Sequence, residues 1–112
     1  MDKITLYKSY IKELLTEYAA HYETDTEVIS QILHNEEKNY YYLLATGWDT
    51  QNKRVHGCVF HVDIINGKIW VQDDWTEYGI ACELMDRGVP KSDIVLAFVS
   101  PHRRTLGEFA AN

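Results

Sequence analysis

This chain has little of what the commonest kinds of site chemistry need. Its 112 residues include two cysteines, Cys58 and Cys82. They are not in a CxxC spacing, so neither a zinc ribbon nor a disulfide framework is expected, and two free buried thiols in a reducing compartment is the plain reading. Nowhere do about 18 apolar residues run together, so no membrane-spanning helix is expected. The opening Met1-Asp2-Lys3-Ile4-Thr5 lacks the apolar centre of a secretory signal, and a soluble, cytoplasmic protein is expected. Basic charge is also scarce. Lys and Arg number 11 against 17 Asp and Glu, a net charge of −6. An acidic chain is repelled by phosphate backbone, so direct DNA binding is not expected and a protein partner is preferred. None of the 6 glycines falls in a Walker-type or dinucleotide-type pattern. With no repeat, linker or low-complexity segment, residues 1–112 read as a single domain.

Aromatic and β-branched residues are plentiful. There are 8 Tyr and 3 Trp, which argue for sheet. The strongest local signal is Asn66-Gly67 between Gly57–Ile65 and Lys68–Asp73, a β-hairpin whose turn needs positive φ at both central residues. A two-residue loop sets Ile65 opposite Lys68, Ile64 opposite Ile69, Asp63 opposite Trp70, Val62 opposite Val71, His61 opposite Gln72 and Phe60 opposite Asp73. Alternation then gives an apolar face of Phe60, Val62, Ile64, Ile69 and Val71. The other face is mixed and holds Val59, His61, Asp63, Ile65, Lys68, Trp70 and Gln72.

Ahead of the hairpin, Ile4, Tyr7, Ile11, Leu14, Leu15, Tyr18 and Ala19 recur at helical spacing from about Asp2 or Lys3 to His21. Thr24-Asp25-Thr26 ends the connection, and Val28–Leu33 reads as the first strand. His34–Asn39 is a polar turn. Tyr40–Trp48 is the second strand, whose three successive Tyr cannot share one side, and Asp49–Lys53 turns the chain into the hairpin. Asp74-Trp75-Thr76-Glu77 has the pattern of a capped helix start, with Asp74 or Thr76 as N-cap and the helix running to Arg87. Gly88, Val89 and Pro90 form a Schellman-type stop. Ile94–Val99 is nearly all apolar and predicts a strand buried on both faces, ended by Ser100-Pro101.

Each candidate site has a plain structural explanation. His56 and His61 differ by an odd number and point to opposite faces unless a bulge intervenes. His61, Asp63 and Gln72 share a face, a pattern more common in an interface polar pair than in a metal site. Helix capping accounts for Asp74 and Glu77 without an ion. Cys58 has no His assigned to its face at contact spacing, and Ser100-Pro101-His102 lacks the context of a nucleophile elbow. Trp48, Trp70 and Trp75, with Arg103, Arg104 and Phe109, belong to the types in which interfaces concentrate their energy. The candidate interface is therefore Trp48, His61, Asp63, Trp70, Gln72, Trp75, Arg103, Arg104 and Phe109. No catalytic, cofactor-binding or metal-binding residue is assigned.

Gly47-Trp48, Arg54-Val55-His56-Gly57-Cys58, His61–Ile64, Gly67-Lys68-Ile69-Trp70-Val71-Gln72, the run Asp74 to Leu84 with Thr76, Glu77, Gly79, Ile80, Ala81 and Glu83, then Gly88-Val89-Pro90, Asp93–Phe98, and Pro101 with Arg104, taken in this order, resemble the XisI family, the fdxN-element excision controlling factors. Tyr7, Ile11 and Leu14, and the closing Glu108-Phe109-Ala110, extend the likeness across essentially the whole chain. At His34 to Tyr42 the chain departs from the family pattern: Asn35-Glu36-Glu37-Lys38 stands where the family has an Asp-rich turn. The resemblance implies a small α+β protein that works with a second factor, XisH, itself similar to nucleases. The process is the developmentally controlled excision of a DNA element in nitrogen-fixing filamentous bacteria, tied to heterocyst differentiation. Cutting belongs to a separate recombinase, and the family brings no catalytic residues.

The expected fold is α+β: an N-terminal helix, a mostly antiparallel sheet with meander and hairpin, a second helix from about Thr76 to Arg87, and a buried last strand. The expected function is that of a non-enzymatic accessory factor that binds an XisH-like partner and self-associates, as a dimer first. Two rival readings are an antitoxin-like inhibitor of a nuclease-like partner and a metal-dependent enzyme using His61, Asp63 and Asp74.

Overall fold

The computed structural model describes residues 2–22 and 27–112; the expected connection at Thr24-Asp25-Thr26 lies outside them. Helix α1 spans Lys3–Tyr22. Asp2 caps it, its Oδ1 accepting from the Thr5 amide at 2.8 Å. The helix buries Tyr7, Ile11, Leu14, Leu15 and Ala19, the expected stripe. Each Leu or Ile fully buried there is worth about 1.5–3 kcal/mol relative to exposure.

That stripe lies on one face of a five-stranded sheet of order β1-β2-β3-β4-β5. The strands are β1 Glu27–Asn35, β2 Tyr40–Trp48, β3 Arg54–Ile65, β4 Lys68–Asp74 and β5 Ile94–Leu96. The first four are antiparallel, and β5 runs parallel to β4. β1 is longer than the expected Val28–Leu33 and takes His34 and Asn35 out of the predicted turn. His34 stacks on the Tyr41 ring at 6.1 Å. The three tyrosines divide as alternation requires, with Tyr41 buried, Tyr42 half-buried and Tyr40 exposed. Asn66 (φ 51°) and Gly67 (φ 78°) form the predicted hairpin turn.

Two bulges alter the expected register. Between β2 and β3 the pairing shifts from Leu43↔Phe60 to Leu44↔Cys58, leaving Val59 as the extra residue. Val59, expected on the mixed face, therefore joins the core, 4% exposed. Between β3 and β4 the extra residue is Gln72. His61 faces Asp73 and Phe60 faces Asp74, where a regular ladder predicts Gln72 and Asp73; the pairs from Val62↔Val71 to Ile65↔Lys68 are as expected. The bulge at Val59 also restores phase, so His56, Cys58 and His61 lie on one side of β3, with His56 paired to Thr46, Cys58 to Leu44 and His61 to Tyr42.

Helix α2 is shorter than predicted, Ile80–Asp86. The Asp74 to Gly79 segment is a capping loop, not the first turn, which leaves Glu77 outside the helix. Asp74 Oδ1 accepts from the Thr76 amide (2.9 Å) and hydroxyl (2.6 Å), and its Oδ2 accepts from the Ile80 amide at 2.7 Å. The stop is the predicted Schellman motif: the Gly88 amide donates to Met85 O at 3.0 Å and the Val89 amide to Leu84 O at 3.0 Å, with Gly88 at φ 102°. Arg87 then ties α2 to α1 through Glu13 and Glu17, and pairs with Glu83 of α2 itself.

The last strand is also shorter than Ile94–Val99. It ends at Leu96, the chain turns at Ala97 and Phe98, and Phe98 is exposed. β5 lies at the sheet margin, but Ile94 and Val95 are fully buried, because the C-terminal segment folds back along it. The Ala110 amide donates to Ile94 O at 3.0 Å. A short helix α3, Pro101–Arg104, carries the basic cluster.

Candidate interaction surface

Both helices that bury apolar stripes lie on the face holding Leu43, Phe60, Val62, Ile69 and Val71. The opposite face alternates out of phase with that core and is lined by Leu44, Tyr42, Cys58, His61, Asp63, Trp70 and Gln72, all half-buried. Towards β1 lie Ile29 and Leu33, 64% and 48% exposed. A two-sided sheet with large apolar groups on its solvent side is a mark of an interaction surface.

A polar group sits at the centre of this face. Asp63 is across from Trp70 in the ladder. Its Oδ1 is 2.9 Å from His61 Nε2, and its Oδ2 accepts from Gln72 Nε2 at 3.1 Å. Gln72 is the extra residue of the β3–β4 bulge. The Tyr42 ring packs on the His61 imidazole at 5.0 Å. Trp70 lies under the Arg104 guanidinium at 5.5 Å. Arg104 is fixed in turn: its Nε donates to Ala111 O at 2.8 Å and its Nη1 to Val99 O at 3.0 Å. An Arg held over Trp with its polar hydrogens directed to carbonyls presents a rigid, flat surface.

The predicted residues thus fall into three places. His61, Asp63, Gln72, Trp70 and Arg104 form one continuous group. Arg103 and Phe109 are beside it, lining a cavity of about 200 Å³ with Leu96, Val99, Arg104 and Gly107. Trp48 and Trp75 are elsewhere. Trp48 ends β2 beside Arg54, whose guanidinium is 5.5 Å from its ring, eight residues along the strand from Tyr40, which pairs with Asp63. Trp75 projects from the loop after β4, 75% exposed. Tyr42 and Cys58 were missed, because their membership depends on the bulge at Val59.

The face holds no activated nucleophile. Burial pushes the Cys58 thiol up to about 11, with the Asp73 and Asp74 charges adding to it and the neighbouring Tyr42 hydroxyl acting in the opposite sense. A thiol so shifted is protonated at neutral pH and is a poor nucleophile and ligand. Contact with Cys58, then burial, raises Tyr42 as well. Among the described residues no three His, Cys, Asp or Glu side chains are grouped to hold a metal ion, and no helix there is long and apolar enough to cross a membrane.

Comparison with a family model and with solved structures agrees with the fold. The family model described as XisI protein matches residues 1–111. A search of curated proteins finds no match. Six chains of solved structures match. A XisI-like protein from Anabaena variabilis ATCC 29413 is 36% identical with a TM-score of 0.84, over 97% of this chain and 98% of that one. The fdxN element excision controlling factor XisI from the same organism is 35% identical with a TM-score of 0.80, over 99% of this chain and 100% of that one. The order of motifs, the helix-on-sheet fold and identity above one third across the full length agree, and the chain belongs to the XisI family.

Proposed function

We propose that this chain is a cytoplasmic, non-enzymatic accessory factor that controls excision of a DNA element by binding an XisH-like partner. The observation that carries this reading is the uncovered sheet face, where a hydrogen-bonded His61, Asp63 and Gln72 group sits beside Trp70 and the fixed Arg104. Aromatic and arginine side chains on a preorganised surface are the usual centres of binding energy. The protonated Cys58 thiol and the structural roles of Asp63 and Asp74 support binding over catalysis. The net charge of −6 supports a protein partner over bare DNA.

The test is co-purification of the full chain with an XisH-like protein, repeated with Trp70→Ala and His61→Ala. Each substitution is expected to weaken the complex about tenfold or more. Wild-type retention of the partner by both variants sinks this assignment of the surface.

A further inference from the structure

The open sheet face leaves two features unused, and their chemistry is complementary. The first is the loop after β4. Its backbone is fixed by the Trp75 amide donating to Val59 O at 2.9 Å and by the Asp74 bonds to Thr76 and Ile80. From this rigid loop Trp75 projects 75% exposed, next to Glu77, an exposed carboxylate with no ion pair among the described residues. A large aromatic side chain on a fixed loop loses little conformational freedom on docking.

The second is the cavity at the C-terminal segment. Leu96, Val99 and Phe109 supply apolar wall, and Arg103 and Arg104 supply guanidinium groups. At about 200 Å³ it is smaller than the pockets that take drug-sized ligands, and it suits a single side chain. Arg104 is held by two carbonyls, whereas Arg103 is exposed and makes no ion pair among the described residues. An indole entering here meets apolar wall and guanidinium faces together.

Both features lie at the same end of the sheet. Parallel pairing sets Val71 beside Leu96, so β4 leaves toward Trp75 on the side where β5 leaves toward Val99 and Arg103. Trp75 does not fill its own chain's cavity, since three-quarters of its surface is exposed. A two-fold axis near that end gives each copy's tryptophan to the other's cavity in a closed pair. The charges fit as well: Asp73 at the end of β4 and Glu77 on the loop against His102, Arg103 and Arg104 on the other side, in a chain of net charge −6.

We propose that Trp75 of one copy inserts into the Leu96, Val99 and Phe109 cavity of a second copy, with Glu77 facing Arg103, forming a reciprocal dimer. The cavity adjoins the partner-binding face and shares Arg104 with it, and the purified chain on its own tests the dimer.

Sedimentation of the purified full chain up to about 100 μM is the experiment, a range that detects micromolar association. Wild type is expected to dimerise, and Trp75→Ala to weaken the dimer about tenfold or more with an unchanged thermal melt. Glu77→Arg and Arg103→Glu are each expected to weaken it similarly. Mixed in equal amounts they are expected to recover the dimer, because in the mixed pair both loop-to-cavity contacts again join opposite charges. A monomeric wild type, a Trp75→Ala chain that dimerises like wild type, or a mixture no tighter than its components overturns the proposal. A monomer would leave the cavity to an acidic, aromatic segment of another protein.

Discussion

Replacing Gly47 with alanine is expected to damage this fold far more than a one-methyl change normally does. Gly47 sits inside β2, paired with Val28 on one side and Val55 on the other. Its φ is 142°, a conformation that side chains rarely adopt, and holding one there costs about 1–3 kcal/mol. A Cβ at Gly47 would also collide with the Glu27 carbonyl oxygen and stand 2.8 Å from Val28 Cα. Both obstacles are backbone, so no rotamer change relieves them. Moving β1 away would pull Val28, 7% exposed, out of the core; overpacking of this kind costs another 1–3 kcal/mol or about that. The sum is about 2–6 kcal/mol, and at roughly 4 °C per kcal/mol for a chain of this size the melting temperature should fall by about 8–24 °C. Gly57→Ala is the control. It lies in β3 opposite Ala45, and an added Cβ meets nothing within 4 Å, so it should be neutral or stabilising by about 0.5–1 kcal/mol. Thermal and urea melts followed by circular dichroism measure both. A Gly47→Ala protein within about 1 kcal/mol of wild type would refute the reasoning.

Three further outcomes are expected. Tyr41 is fully buried and its hydroxyl has no hydrogen-bond partner among the described residues, so Tyr41→Phe should be neutral or stabilising by up to about 1 kcal/mol in urea melts, and a clear loss would show a partner for that hydroxyl. Burial, then the hydrogen bond to Glu83, pushes the Tyr18 phenol up to about 12 from 10.0. Between those values the folded chain keeps a proton that the unfolded chain releases, so stability falls as pH rises from about 10 to 12; Tyr18→Phe should lessen that slope, and an unchanged slope would contradict the shift. Cys58, raised to about 11 by burial first, should react with iodoacetamide at pH 8 more than about tenfold slower than a small-molecule thiol, measured in Cys82→Ser; a rate equal to the small thiol would show an ionised, open site.

Signals that act over a few residues were legible in the sequence. The α1 stripe, the Asn66-Gly67 turn, the division of the three tyrosines and the Gly88 stop each follow from local geometry. What was not legible depends on neighbours far along the chain. Neither Val59 nor Gln72 differs in type from a regular strand residue, and each becomes a bulge only because of how β2, β3 and β4 pair. The early start expected for α2 failed for a related reason. Asp74 does cap it, but across a loop of several residues, with Gly79 at φ 96° before the first helical residue. The last strand was overlong because an apolar run does not say which of its residues face the sheet. Of the interface, the His61, Asp63, Trp70 and Gln72 neighbourhood followed from the hairpin register, while Tyr42 and Cys58 did not.

The bulge at Val59 has a consequence for how this surface can change. On one strand, His56 and Cys58 lie before the extra residue and His61 and Asp63 after it, and only the bulge, which takes up one residue of the odd spacing, puts all four on the same side. A regular β3 of the same sequence, with Val59 paired in the ladder, would turn the first half of the strand over, sending His56 and Cys58 inward and Val55 and Gly57 outward without changing any residue. The surface is thus encoded in where the strand bulges as well as in its composition. Among descendants of this chain, a single-residue insertion or deletion in β3 that no bulge absorbs would rewrite the recognition face in one step, where point substitutions would need several.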